Sequence, residues 1–166
     1  AEALEASRAE ADRLQEMVEQ LLALARLEGT AAKTVEVDAA RVARDRVEMW
    51  APLADENEVS LRLHASQTAR CAVVEGGLEQ ILDNYIDNAI SVAPAGTEID
   101  VVVSADDGHV TVDVCDRGPG LTDEQRDLAF DRFWRGPAAT GATGSGLGLA
   151  IVRQLAAASG GEAELL

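Results

Sequence analysis

Apolar positions at the start of the chain recur every three or four residues. From Ala3 to Leu27 this spacing predicts one long amphipathic helix that Gly29 ends. The apolar stripe contains Leu4, Ala11, Leu14, Met17, Val18, Leu21, Leu22, Leu24, Ala25 and Leu27. A helix docked on its own domain is one interpretation. The stripe is broader than one folded partner needs, so we favour the seam of a helix bundle or dimer, and we separate residues 1–30 from a main domain at 31–166.

In the main domain, helical and strand-like patterns alternate. After a short extended stretch at Lys33–Val37, Asp38 is a good N-cap for a helix to about Asn57, which Pro52 should kink. Further strands are predicted at Val59–Leu63, Arg70–Val74, Glu98–Ser104, His109–Cys115 and Glu162–Leu166, with helices from Gly76-Gly77 and over Leu147–Ser159. The strands at Glu98–Ser104 and His109–Cys115 are predicted to form a hairpin around Asp106-Asp107-Gly108. The order predicts an α+β fold, an α/β sandwich with helices packed on one face of a mixed sheet.

Charge and composition limit the function. The chain has 14 basic and 30 acidic residues, giving a net charge of −16. So acidic a surface repels phosphate backbones, and nucleic-acid binding is not expected. No apolar run approaches the ~20 residues of a membrane span and no segment resembles a leader, so we expect a cytoplasmic fragment.

The cysteines and histidines suggest no reactive cluster. Cys71 and Cys115 lie far apart in strand-like apolar stretches, and we expect both to be reduced core thiols. His64 and His109 are predicted at strand edges, without a neighbouring carboxylate or cysteine cluster. We therefore expect both to be surface or structural residues.

Glycines and aromatic residues are concentrated in one part of the chain. Seven of the 14 glycines lie between Gly118 and Gly148, and Phe130, Phe133 and Trp134 fall within one pentapeptide. This combination is typical of a mobile loop that closes on a ligand. We predict such a loop, carrying a short acidic helix, over Leu121–Thr143.

Two asparagines in the second predicted helix of the main domain form the first candidate segment. Asn84 and Asn88 are four residues apart, so both amides project from one face, whereas Asp83 and Asp87 should face elsewhere. Amide oxygens placed in this way can hold Mg²⁺ or its waters. Taken alone, the pair also fits an ordinary solvated helix edge.

The second candidate segment, Asp116-Arg-Gly118-Pro-Gly120, directly follows a predicted strand. A carboxylate at a strand end beside two glycines suits a buried acceptor, with a ligand pressed against bare backbone. An adenine amine is a natural donor to it. The alternative is an ordinary tight turn.

The third candidate segment is Gly144-Ser145-Gly146-Leu147-Gly148-Leu149, which opens a predicted helix. Free backbone N–H groups and the positive end of the helix dipole suit phosphate groups. The segment lacks the Gly-Lys-Ser/Thr of a Walker loop and is not a dinucleotide fingerprint. Arg132 and Arg135, beside the aromatic residues, are candidates for a terminal phosphate, with a plain surface role as the alternative.

These three segments, with Phe130-x-x-Phe133 between the second and third, resemble the ATP-binding domain of sensor histidine kinases. That domain has the Bergerat fold, shared with DNA gyrase and MutL. The resemblance extends over about Val35–Leu166. It implies a histidine protein kinase that uses ATP and Mg²⁺ and transfers the γ-phosphate to a histidine, for relay to a response regulator.

The resemblance also implies roles for individual residues. Asn84 and Asn88 match the asparagine box and are implied Mg²⁺ ligands, Asn88 the main one; Asn84 and Arg135 are implied catalytic residues, and Asp116 is implied to bind adenine. Phe130 and Phe133 match the box that anchors the ATP lid. The implied ATP-binding set is Asn84, Asn88, Asp116, Gly118, Gly120, Phe130, Arg132, Phe133, Arg135, Gly144, Ser145, Gly146, Leu147, Gly148 and Leu149.

The N-terminal helix fits the same family. Ala11–Glu28 resembles the second helix of the dimerisation and phosphoacceptor bundle. This implies a homodimer through the N-terminal helix, the phosphoacceptor helix of the same kinase and a response regulator receiver domain as partners, and a full-length protein anchored in the bacterial plasma membrane.

The sequence departs from the family pattern in three places. No histidine has a phosphoacceptor context, Ser91 and Val92 stand where a basic residue and then an aromatic residue or histidine are frequent, and the chain stops at Leu166, where the family usually completes another strand. Three alternatives are a gyrase- or MutL-type ATPase, an anti-sigma-type serine kinase and a regulatory nucleotide-binding module. The first needs a glutamate where Asn84 stands, and the N-terminal helix argues against the second.

Overall fold

The computed structural model describes residue 18 and residues 33–65, 68–136 and 145–166. In chain order the elements are β1 (Thr34–Asp38), α1 (Ala39–Glu56), β2 (Ser60–Ala65), β3 (Arg70–Val74), α2 (Gly77–Val92), β4 (Glu98–Asp106), β5 (His109–Cys115), α3 (Asp123–Ala129) and α4 (Gly148–Ala158). The helix predicted over Ala3–Leu27 lies outside these ranges except for Val18, which is helical and exposed. Within them, no helix is long and apolar enough to cross a membrane.

Asp38 links β1, α1 and the chain before β3. Its Oδ1 accepts hydrogen bonds from the N–H groups of Ala40, at 3.2 Å, and Ala69, at 3.1 Å. The first bond caps α1, which confirms the predicted N-cap. The helix then continues through Pro52 to Glu56, so the proline does not end it.

The strands form two sheets. β4 is the middle strand of a three-stranded mixed sheet, with β2 parallel on one side and β5 antiparallel on the other. β1 and β3 form a separate antiparallel pair, with Asp38 opposite Arg70. The predicted β4–β5 hairpin turns at Asp107 and Gly108, whose φ angles of 49° and 82° suit a two-residue hairpin turn.

The core lies on one face of the three-stranded sheet. Ile99, Val101 and Val103 of β4 are buried there, against apolar residues of α1 and α2. The alternate residues of β4 begin with Glu98 and Asp100 and lie on the opposite face, because side chains alternate along a strand. The predicted α+β fold with helices on one face of a mixed sheet is confirmed.

The end of the chain differs from the prediction. A strand is predicted over Glu162–Leu166, yet residues 161–166 have no regular secondary structure. No strand of the described part pairs with them; instead, the Tyr85 hydroxyl of α2 donates to the Glu164 carbonyl at 3.3 Å. Burial raises the pKa of Tyr85 to about 12, with a smaller contribution from Glu164.

The expectation that His64 has no carboxylate neighbour is wrong. His64 Nε2 lies 2.8 Å from Asp100 Oδ1, on the sheet face that the helices leave uncovered. The parallel pairing of β2 with β4 brings together two residues 36 positions apart, which local sequence does not show. His109 is exposed, which confirms the prediction of a surface residue, and its Nδ1 lies 3.2 Å from the Asp107 carbonyl oxygen.

The cysteines are free thiols, and only one is partly enclosed. Cys71 in β3 is half-buried, whereas Cys115 is exposed, so the predicted core position of Cys115 is wrong. Cys115 is the last residue of β5, where the strand leaves the core. Desolvation is the main cause that raises the pKa of each thiol above its ordinary value.

Candidate nucleotide site

Asn84 and Asn88 lie on α2. The Asn84 amide is half-buried, and its Nδ2 donates to the Gln80 carbonyl at 2.8 Å, so its Oδ1 remains as an acceptor. A Cβ on Gly148 would lie 2.6 Å from this Oδ1, which places the start of α4 directly against Asn84. Asn88, one turn further, is exposed. Two neutral side-chain oxygens beside a bare glycine fit Mg²⁺, which prefers oxygen ligands.

Asp116 follows β5 and organises the next turn. Its Oδ1 accepts from the Gly118 N–H at 2.6 Å, and no described residue donates to its Oδ2. Gly118 lies against the end of α2, since a Cβ there would lie 2.9 Å from Val92 Cγ2. The Asp116 side chain is exposed rather than buried as predicted, because the turn lies beyond the end of β5 and no described side chain covers it.

The described part of the third segment, Ser145–Leu149, forms the start of α4; Gly144 lies outside the described residues. The Leu147 N–H donates to Ser145 Oγ at 3.2 Å. Leu147 itself is fully buried with Ile151 and Leu155. No side chain of the described residues caps α4, which leaves its first N–H groups suited to an anion at the positive end of the helix dipole.

A backbone contact joins the predicted lid to this segment. The Phe133 N–H donates to the Gly146 carbonyl at 2.8 Å. Gly146 has φ +72°, and a Cβ there would lie 2.9 Å from backbone atoms of Phe133 and Trp134. Only glycine satisfies both conditions. The third candidate segment and the lid therefore contact each other through their main chains.

The lid aromatic residues differ in their surroundings. Phe130 is half-buried, and the Arg153 guanidinium lies over its ring at 5.9 Å from the centroid. Phe133 is 57% exposed, and its φ is +66°. Phe133 therefore contacts Gly146 through its main chain, while most of the residue stays exposed.

The predicted acidic helix of the lid is present as α3. Thr122 and Gln125 form a capping box, in which Thr122 Oγ1 accepts from the Gln125 N–H at 3.2 Å and Gln125 Oε1 accepts from the Thr122 N–H at 3.0 Å. Arg132 and Arg135 follow it and are both exposed.

Three close contacts bring the predicted segments to one side of α2: Asn84 with Gly148, Val92 with Gly118, and Phe133 with Gly146. The sequence interpretation missed Arg153, which packs on Phe130. The sequence does contain a signal for Arg153, because it is the only charged residue of α4, whose other residues are apolar or neutral.

Comparison with known proteins agrees with this geometry. Residues 73–165 match the model of the family described as histidine kinase-, DNA gyrase B- and HSP90-like ATPases. The chain belongs to this family, and its matched part contains α2, the hairpin, the lid and α4.

Within that family, the chain is of the sensor histidine kinase type. It is 34% identical to the sensor protein kinase PmrB of Pseudomonas aeruginosa over 146 residues, 87% of this chain and 30% of PmrB. It is also 34% identical to the sensor-like histidine kinase SenX3 of Mycolicibacterium smegmatis over 162 residues, 95% of this chain and 42% of SenX3. The chain thus spans less than half the length of these curated relatives.

A solved structure shows the same architecture. Full-length ShkA in complex with AMPPNP superposes with a TM-score of 0.79 at 33% identity, over 97% of this chain and 35% of ShkA. The fold and the relatives together define an ATP-binding domain of the type found in sensor histidine kinases.

Proposed function

We propose that the chain binds Mg·ATP at this site and positions the γ-phosphate for transfer to a histidine on the phosphoacceptor helix of the same kinase. The main support is the convergence of the three segments on α2, above all the contact between Asn84 and Gly148. This contact joins candidate metal ligands to a helix N-terminus suited to phosphate.

Each segment has its own part in this proposal. Asp116 accepts the adenine amine with Oδ2, while Oδ1 holds the turn through Gly118. The N–H groups at the start of α4 hold phosphate oxygens. Asn84 and Asn88 would hold Mg²⁺, which when bound neutralises phosphate charge. Arg135, with Arg132, adds positive charge from the lid.

The position at which a water-activating base is expected holds an amide. Asn84 occupies the position at which gyrase- and MutL-type enzymes are expected to carry a glutamate, and its Nδ2 is engaged by the Gln80 carbonyl. A neutral amide does not accept a proton at neutral pH. Positioning and charge stabilisation, which phosphoryl transfer chiefly requires, are what the site residues offer.

The proposal includes partners. Residues 1–30 would form the second helix of the dimerisation hairpin and pair two copies, and a response regulator receiver domain would take the phosphate. The full-length protein would be anchored in the plasma membrane.

A two-component transfer assay tests the proposal. The chain is incubated with γ-labelled ATP and Mg²⁺, alone and with a separately prepared phosphoacceptor-helix fragment of the same kinase. Label should appear on the added fragment and be lost with Asn88→Ala. Label on this chain alone, traced to His64 or His109, would contradict the assignment of roles.

A further inference from the structure

A second set of contacts on α2 lies outside the nucleotide site. Asp83 directly precedes Asn84, and its Oδ1 accepts from Trp50 Nε1 at 2.7 Å. Its Oδ2 lies 3.5 Å from Arg46 Nη1. Trp50 and Arg46 are one turn apart on α1, and the Arg46 and Asp83 side chains are only 24% and 32% exposed. One carboxylate of α2 is thus held by two donors of α1.

This contact supplies a constraint that the apolar core does not. Leu78, Leu82 and Ile86 are buried residues of α2 and pack against its neighbours. Apolar burial is non-directional, so small rotations of the helix cost little free energy. A hydrogen bond from an indole N–H to a carboxylate loses strength steeply with angle and distance. The Asp83 contacts therefore fix the rotation of α2 about its own axis.

Rotation of α2 matters because the Asn84 side chain lies directly against Gly148 of α4. Neighbouring helix residues point about 100° apart, so Asp83 faces α1 while Asn84 faces α4. Side chains reach about 5–6 Å from a helix axis, so a rotation of about 10° moves the Asn84 amide by about 1 Å. A displacement of that size is enough to spoil a metal or phosphate geometry.

We infer that Asp83 is a positioning residue, which aligns Asn84 and Asn88 for Mg·ATP through its contacts with Trp50 and Arg46. The inference rests on the proposed function of the two asparagines. Arg46 belongs to this contact, and its Nε is buried without a partner in the described part of the chain. The Asp83 carboxylate is the acid to which the guanidinium is bridged.

Two variants of the full chain test the inference. Asp83→Leu removes the acceptor, and Trp50→Phe removes the indole donor but keeps a ring. Asp45→Leu is the matched control, because Asp45 is an exposed acid of α1. Both test variants should weaken Mg·ATP binding about tenfold. Metal-free ADP, which depends on Asp116, should lose less than about threefold, and the control should match the unmutated chain.

A second measurement needs no nucleotide. In the free protein, the side-chain amide resonances of Asn84 should shift in Asp83→Leu and Trp50→Phe and stay in place in Asp45→Leu. Equal losses of Mg·ATP and ADP binding would reduce Asp83 to a stabilising residue and overturn the inference, as would unmoved Asn84 resonances. If the unmutated chain binds no nucleotide, the proposed function fails, whereas the resonances still decide whether Asp83 orients Asn84.

Discussion

The Asp116 carboxylate divides its two oxygens between the fold and the ligand. Oδ1 holds the Gly118 N–H, and Oδ2 has no donor among the described residues. In Asp116→Asn, one of the two positions must carry an NH₂ group, which mispairs either with the turn or with adenine. A mispaired polar group weakens binding about tenfold or more.

A fluorescent ATP analogue measures this prediction by titration. Asp113→Asn is the control, because it makes the same chemical change three residues earlier, on β5. Unchanged affinity in Asp116→Asn would remove Asp116 from the site.

Asp38 gives a pH-dependent contribution to stability. The hydrogen bond from the Ala69 N–H, with those from Ala40 and Arg41, lowers the pKa of Asp38 below 3.8 despite partial desolvation. A lowered folded-state pKa stabilises the fold above the unfolded-state pKa, and this contribution is lost as the pH falls through the folded-state value. Asn is also a good N-cap, so Asp38→Asn isolates the charge.

We therefore expect Asp38→Asn to lower Tm at pH 7. Its Tm should approach that of the unmutated protein as the pH falls below 3.8. Thermal unfolding of the two proteins at a series of pH values measures the Tm difference at pH 7 and its decrease at low pH. Glu36→Gln, on the same strand but highly exposed, should show a smaller difference at pH 7. A Tm difference for Asp38→Asn that does not change with pH would contradict this account.

At the scale of elements, the lid and α4 are coupled by the bond from Phe133 N–H to the Gly146 carbonyl. A nucleotide held at the start of α4 should therefore stabilise residues 123–136 as well. We expect a non-hydrolysable ATP analogue with Mg²⁺ to slow amide exchange in α3 and in the first turn of α4. Amides of β1 and β3 are internal controls. Equal exchange of residues 123–136 with and without the analogue would argue against a lid.

Elements with strong local signals were predictable. Asp38 predicts the start of α1, the pattern at Arg70–Val74 predicts β3 with its observed bounds, and Asp107-Gly108 predicts the hairpin turn. The division into two sheets was not predictable, because the pairing of β1 with β3 depends on strands far apart in sequence. The same reason hid the contact between His64 and Asp100.

The candidate site, too, was predictable only in part. The asparagine and glycine segments of the site were predictable, since residue types and their spacing are visible in the sequence. The exposure of Phe133 and the contact of Arg153 with Phe130 depend on backbone conformation and helix packing, which one sequence does not specify.

At the scale of the whole molecule, the chain combines a predicted apolar seam with a net charge of −16. We predict that the full chain self-associates through residues 1–30 and that added salt strengthens the association, because it screens repulsion between two acidic copies. Sedimentation at two salt concentrations measures this. Leu14→Glu with Leu21→Glu should give monomers with unchanged nucleotide affinity, and Gln15→Glu is the control. A monomer under all conditions would contradict the dimer.

Gly146 and Gly148 differ in what surrounds them, and this has a genetic consequence. A side chain at Gly146 would meet main-chain atoms of Phe133 and Trp134, whereas one at Gly148 would meet the Asn84 side chain. A defect at Gly148 therefore has a second-site suppressor: in a selection for soluble, folded protein, Gly148→Ala should be rescued by Asn84→Ala. Gly146→Ala should have no suppressor of this kind, because no single substitution deletes a carbonyl or a Cα. Recovery of a suppressor of Gly146→Ala at Phe133 or Trp134 would contradict this difference.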